Sequence, residues 1–336
     1  MHITFYYPGR TPVPPPLYGG TQRVIYWLGL ALVQLGHRVT LIASERSHIP
    51  GVELRPLTAA TSERGAWQKL VPDSTDILHL RGKPELPIKK PFVITLDGNG
   101  KPGQMFHPNT IFVSRRHAAN HGSIHFVHNG LDPAEYVADQ PREDYAVFLA
   151  KARWDVKNLP GAIQVARQAG VMLHVLGSRN WPLNLQRCLP AIRGVRYHGM
   201  IAGQAKRNLL ARARCLIFPV RWEEPFGLAL TEAMASGCYV AATPYGSLPE
   251  IVTPDVGVLS TKTVELAEVV KNSGRFKPEI CRNHVLQGGF THLDMARKYI
   301  SYYETILATG RLGAANEPAP QTIPGFDANR LLPWED

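Results

Sequence analysis

Hydrophobic positions along the first third of the chain fall into short continuous runs separated by amphipathic stretches, the pattern of buried parallel strands alternating with helices. MHITFYY reads as a first strand, followed by the proline-rich loop GRTPVPPPLYGG. In TQRVIYWLGLALVQLG, Val24, Ile25, Leu28, Ala31, Leu32 and Leu35 share one helical face, and Gly36 caps the helix before the strand HRVTLIAS. DILHL (76–80), PFVITL (91–96), TIFVS (110–114) and IHFVHN (124–129) continue as short strands. Residues 132–144 turn polar and proline-bearing and read as a linker. A second alternation starts at YAVFLAK and runs through a helix over 160–168 and the strands VMLHVLG, VRYHGM, CLIFPV and CYVAAT. After Gly257 the pattern becomes helical, 294–307 forms an amphipathic closing helix, and the Gly, Pro and polar content from Thr309 onward predicts an irregular tail. The expected class is α/β, with a doubly wound domain over 1–140, a second over 141–293, a helix over 294–308 and a tail over 309–336.

Composition narrows the functional classes. A chain of 336 residues with 44% hydrophobic content can bury two cores. The start shows no leader pattern, and the longest apolar run, residues 24–33, is too short to span a bilayer. Four dispersed cysteines without a CxxC argue against a metal or disulfide framework and suit a reducing cytoplasm. The formal charge is +10, and between Asp155 and Glu223 lie eleven Lys and Arg with no acid among them. Such a block attracts an anionic nucleotide, an acidic glycan or an anionic membrane face at which the protein would sit peripherally. Nucleic-acid motifs are missing. The stretch GNGKPG (98–103) formally reads GxGxxG, but its proline and the lack of a following helix deny it dinucleotide geometry.

The densest chemistry lies in EEPFGLALTEAMASGCYV, residues 223–240, where Glu224 and Glu232 flank a Phe-Gly pair that opens a helix between two strands. Free N–H groups at Phe226, Gly227 and Leu228 suit a phosphate, and carboxylates accept hydrogen bonds from hydroxyls, so a nucleotide-sugar meets both needs. This segment resembles the donor-binding motif of the retaining glycosyltransferases of family four, with Glu224, Phe226, Gly227, Glu232, Ala233, Met234, Ala235 and Gly237 all matching. The resemblance extends over nearly the whole chain to about residue 307. It implies the GT-B architecture, two Rossmann-like domains facing across a cleft, and a cytoplasmic enzyme that needs no metal or cofactor beyond its nucleoside-diphosphate sugar. The sugar would pass, with retention of configuration, to a glycan, a lipid-linked or a small-molecule acceptor. An epimerase or phosphorylase on the same fold, or a non-catalytic nucleotide-sugar binder, is the alternative.

The resemblance also distributes roles. Glu224 would hold sugar hydroxyls and Glu232 the ribose, with Pro225 beside the Phe226, Gly227 and Leu228 amides. Lys157, with Lys151 or Arg153, would grip the pyrophosphate; Gly19 and Gly20 would line the first loop; Ile201 falls where the base is placed. Where relatives carry a histidine after the PFVIT-type strand this chain has Asp97, an acceptor-side candidate, and His117 is the chosen polar group near the transferred sugar.

Overall fold

The computed structural model describes residues 1–17, 19–58, 61, 65–82, 87–177, 194–314 and 316–336. The chain opens with β1 (His2–Tyr6), α1 (Gly20–Gln34), β2 (Arg38–Ser44) and β3 (Glu53–Leu57). Then come β4 (Ile77–Arg81), β5 (Phe92–Leu96), β6 (Thr110–Phe112) and α2 (Arg115–Asn120). The six strands form a parallel sheet in the order β3-β2-β1-β4-β5-β6. Its central strands are mainly apolar because helices cover both faces of such a sheet, and Ile3, Phe5, Leu41, Ile42, Leu78 and Val93 are all buried.

The second series runs β7 (Tyr145–Leu149), α3 (Leu159–Ala169), β8 (Met172–Leu176), β9 (Val195–Tyr197), α4 (Gly203–Arg212) and β10 (Cys215–Phe218). It continues with α5 (Leu228–Ala235), β11 (Tyr239–Ala242), α6 (Leu248–Ile251), β12 (Gly257–Leu259), α7 (Thr263–Lys271) and α8 (Pro278–Gln287). These strands form another parallel sheet, ordered β12-β11-β10-β7-β8-β9. Both sheets follow the doubly wound 3-2-1-4-5-6 order, whose direction reverses between the first and fourth strands. Ligands of such sheets bind beyond the carboxyl ends at that reversal, here β1/β4 and β7/β10.

Finally α9 (His292–Thr309) packs against α1. One compact unit comprises 1–131 and 291–327, the other 132–290 and 328–336, so the chain passes between them three times. A buried network fixes α9 in the first unit. His79 on β4 meets the Tyr303 hydroxyl and Thr95 Oγ1, each at 2.7 Å, and Thr95 meets the Tyr299 hydroxyl at 2.9 Å. In the second unit Arg142 caps two helices at once: its guanidinium donates to the carbonyls of Ala211 (2.9 Å) and Ala213 (3.0 Å) at the end of α4, and of Ser236 (2.7 Å) after α5.

Two sequence expectations change. IHFVHN is no strand: it touches the sheet through a single bridge, Phe126 to Phe112, and Ile124 is 75% exposed. The segments ELRPL and GVL, by contrast, pair as β3 and β12 on the sheet edges, so the second sheet does not end at CYVAAT. An edge position tolerates Pro56, which has no N–H to give. Among the described residues the tail after Thr309 contains no helix or regular strand. Among the described residues no helix is long and apolar enough to cross a membrane.

Candidate active site

At the β7/β10 reversal the loops leaving the two strands meet. The loop after β7 carries Lys157 at the end of a 3-10 turn, Asp155–Lys157. Asn158 follows in the left-handed region (φ 54°), where its side chain does two jobs. Its Oδ1 caps α3 by accepting from Gly161 N at 3.1 Å, and its Nδ2 donates to Pro219 O at 3.1 Å, tying the loop to the end of β10. A second tie runs from Arg221 N to Val156 O at 2.7 Å. Lys157 is thereby held against Glu224: Nζ lies 2.5 Å from Oε2, with the residues 6% and 8% exposed. The indole Nε1 of Trp222 donates to the same Oε2 at 2.6 Å, and the Lys157 ammonium stands 4.5 Å from the Trp222 ring centroid.

Two glycines make this arrangement sterically feasible. Gly246 (φ 61°) lies so close to the Glu224 backbone that a Cβ there would sit 2.2 Å from Glu224 N and 2.3 Å from its carbonyl oxygen. Gly227 (φ 86°) takes the left-handed conformation at the N-cap of α5, turning the chain sharply from the Glu224 loop into the helix. Among the described residues the N–H groups of Gly227 and Leu228 meet no protein acceptor, which leaves them for an anion at a helix start. Phe226 is buried beneath them, with Ser247 Oγ donating to its carbonyl at 2.7 Å, and Pro225 is buried beside it.

Glu232, one turn into α5 and 7% exposed, has its own partners: Oε1 accepts from Tyr136 Oη at 2.8 Å and from Lys206 Nζ at 2.5 Å. Tyr136 is itself fixed by Arg282, which donates to Tyr136 O at 2.7 Å. Lys151, 4.3 Å from the Trp154 ring, has its ammonium pushed below the usual lysine range by burial and by the charges of Arg153 and Lys157. Three cations thus crowd one rim, which an anion would relieve; Arg153 is the exposed member. Ile201 lies beyond the carboxyl end of β9, half-buried before α4.

Trp222, Tyr136 and Lys206 were not among the expected site residues. Lys206 and Tyr136 lie 26 and 96 positions from Glu232, and no local spacing signals them. The long basic block is also less of an open field than it reads. Lys157, Lys206, Arg207, Arg212 and Arg214 pair with Glu224, Glu232, Glu135, Glu143 and Asp144, while Arg179, Arg187 and Arg193 lie outside the described residues.

The remaining candidates lie in the first unit. Gly19 is the N-cap of α1 and Gly20 its first residue; a Cβ on Gly19 would lie 2.5 Å from Gln22 Oε1. Asp97, just past β5, accepts from Arg81 Nη1 at 2.6 Å; burial raises its carboxyl while Arg81 and a hydrogen bond from Thr21 pull it back. His117 does not present a free ring. It is 1% exposed, its Nδ1 accepts from Val113 N at 3.3 Å, and its Nε2 donates to Gly98 O at 3.1 Å. Burial, with His121 adding to it, lowers its pKa to about 3. A neutral imidazole with both nitrogens hydrogen-bonded braces the 98 loop.

Residues 145–272 match the family model for glycosyl transferases group 1. No curated protein matches the chain in sequence. Among solved structures, AviGT4, a glycosyltransferase involved in avilamycin A biosynthesis, is similar with a TM-score of 0.77 and 24% identity, over 91% of this chain and 98% of that one. Sucrose-phosphate synthase from Thermosynechococcus elongatus gives 0.71 and 15%, over 91% and 99%. Anabaena Alr3699/HepE in complex with UDP and glucose gives 0.63 and 16%, over 90% and 99%. The chain is built on the GT-B fold, and residues 145–272, within its second unit, match the group 1 glycosyl transferase model.

Proposed function

We propose that the protein transfers a sugar from a nucleoside-diphosphate donor to a hydroxyl acceptor with retention of configuration. The observation that carries the reading is the Lys157–Glu224–Trp222 cluster at the β7/β10 reversal, inside the segment that matches the glycosyl transferase model. Lys157 and Lys151 would hold the diphosphate, with Arg153 as the outer cation and the Gly227 and Leu228 amides at the start of α5 completing its cradle. Leaving-group departure puts negative charge on the phosphate oxygen, so fixed donors aimed there lower the barrier. Glu232 would accept from ribose hydroxyls, and Tyr136 and Lys206 keep its carboxylate in place. Glu224 would accept from a sugar hydroxyl.

In the step itself, the acceptor oxygen bonds to the anomeric carbon as the bond from that carbon to the phosphate oxygen breaks. The acceptor proton passes to the departing phosphate oxygen on the same face, so no side-chain base is required. His117 has no part in this scheme, and Asp97 is the acceptor-side candidate. A UDP and glucose complex of the Alr3699/HepE neighbour supports a nucleotide-sugar donor.

A thermal-shift panel of nucleotide sugars, followed by transfer assays with the one that stabilises, tests the reading. Glu232→Ala should chiefly weaken nucleotide binding and Glu224→Ala chiefly slow transfer. Unchanged kinetics in both would remove the assignment, and conversion of the donor with no acceptor present would point to an epimerase.

A further inference from the structure

The last residues of the chain return to the second unit and run along the carboxyl rim of its sheet. Leu332 meets the loop after β10: its N–H donates to Arg221 O at 2.8 Å and its carbonyl accepts from Arg221 Nε at 2.7 Å. Pro333 meets the loop after β11, its carbonyl accepting from the Tyr245 hydroxyl at 2.6 Å. Glu335 meets the loop after β12, donating to Thr261 O at 2.8 Å and accepting from Thr263 N at 2.9 Å. Three successive strand ends are therefore crossed between residues 332 and 335. The dimensions agree: three extended residues span about 10 Å, as do two inter-strand spacings.

Both loops gripped first are loops of the candidate site. Arg221 precedes Trp222 and Glu224, and its own N–H holds Val156 next to Lys157. Tyr245 precedes Gly246, which packs on the Glu224 backbone, and Ser247 N donates to Glu224 O at 3.0 Å. From Leu332 to Glu335 the contacts lead away from β7 towards the sheet edge.

We propose that residues 328–336 are a positioning element of the donor site: through Arg221 and Tyr245 they fix the loops that set Lys157, Trp222 and Glu224. This rests on the donor-site reading above. The tail touches no reacting atom, and Arg221 acts as a positioning residue.

The test compares the full chain, Arg221→Leu and a chain ending at Asp327. Each is titrated calorimetrically with UDP, GDP, ADP, CDP and dTDP, with hydrogen exchange read at amides 220–224. Arg221→Leu keeps the tail and carries the test if the shortened chain does not fold. Expected are affinities at least about tenfold weaker in both variants, the worth of roughly one net hydrogen bond. Exchange at 221–224 should be faster, and a synthetic peptide of residues 328–336 should restore affinity and protection to the shortened chain, a rescue that general destabilisation would not show. Equal affinity in all three overturns the proposal. Should the full chain bind none of the diphosphates, the donor-site reading fails, and exchange decides the tail by itself: unchanged protection at 221–224 overturns its hold on the loop, and lost protection supports it.

Discussion

Removing the Lys157 ammonium while keeping its stem, as Lys157→Met, leaves Glu224 buried with the Trp222 N–H as the recorded donor to Oε2. At 2.5 Å the pair attracts by about 6–7 kcal/mol at an effective dielectric of 20. Much of that offsets the cost of drying both ions, so the pair stabilises far less than it attracts. Breaking it from one side is different, because the survivor keeps its desolvation cost; about 3–5 kcal/mol is then lost. The converse change, Glu224→Gln, should cost less. The stranded ammonium still faces the Trp222 ring at 4.5 Å and the Phe218 ring at 5.5 Å, contacts worth about 0.5–2 kcal/mol. The double variant should recover part of the summed loss, a coupling of about 2–3 kcal/mol. Urea unfolding of the four proteins, followed by tryptophan fluorescence, measures the cycle. Additivity to within about 0.5 kcal/mol, or a larger loss for Glu224→Gln than for Lys157→Met, would refute the reasoning.

Gly246→Ala should prevent the site from assembling, because the new methyl meets Glu224 backbone atoms that no rotamer change can move. A loss above about 3 kcal/mol in unfolding free energy is expected, and a fully active, equally stable variant would contradict it. Acid should destabilise the first unit. His117 has a folded pKa near 3, below its unfolded value of 6.5, so the unfolded chain binds the extra proton. The neutral ring's contribution is complete above about pH 6.5 and declines as pH falls towards 3, with an upper limit of about 5 kcal/mol. A denaturation series from pH 7 to 4 should show His117→Gln flattening that slope, and parallel curves would count against it.

What could be read ahead of the structure follows locality. Glu224, the Phe226-Gly227 turn and Glu232 lie within one loop and one helix, so their spacing alone places them on a strand–helix junction. Trp222 stands only two residues from Glu224 yet went unnoticed, because nothing in its spacing tells that the indole turns onto the carboxylate. Tyr136 and Lys206 depend on α4, α5 and the segment before β7 packing together, which is tertiary information. IHFVHN misled for a physical reason: its apolar residues do place Phe126 beside Phe112, but one bridge does not make a ladder. The burial of His117 is likewise not written in its spacing: Ser114 accepts from His117 N at 3.0 Å and caps α2, and the ring lies inside. Strands β3 and β12 escaped notice since a proline in one and the brevity of the other blur the period of two.

The threefold passage of the chain between the units bears on how the protein is made. The His79 and Thr95 groups of the first unit stay without Tyr303 and Tyr299 until the ribosome has synthesised all of 132–290 and then α9. The amino-terminal unit is thus translated first and completed late, and through much of its synthesis the nascent chain carries an unfilled groove beside α1, the surface on which a holding chaperone would act.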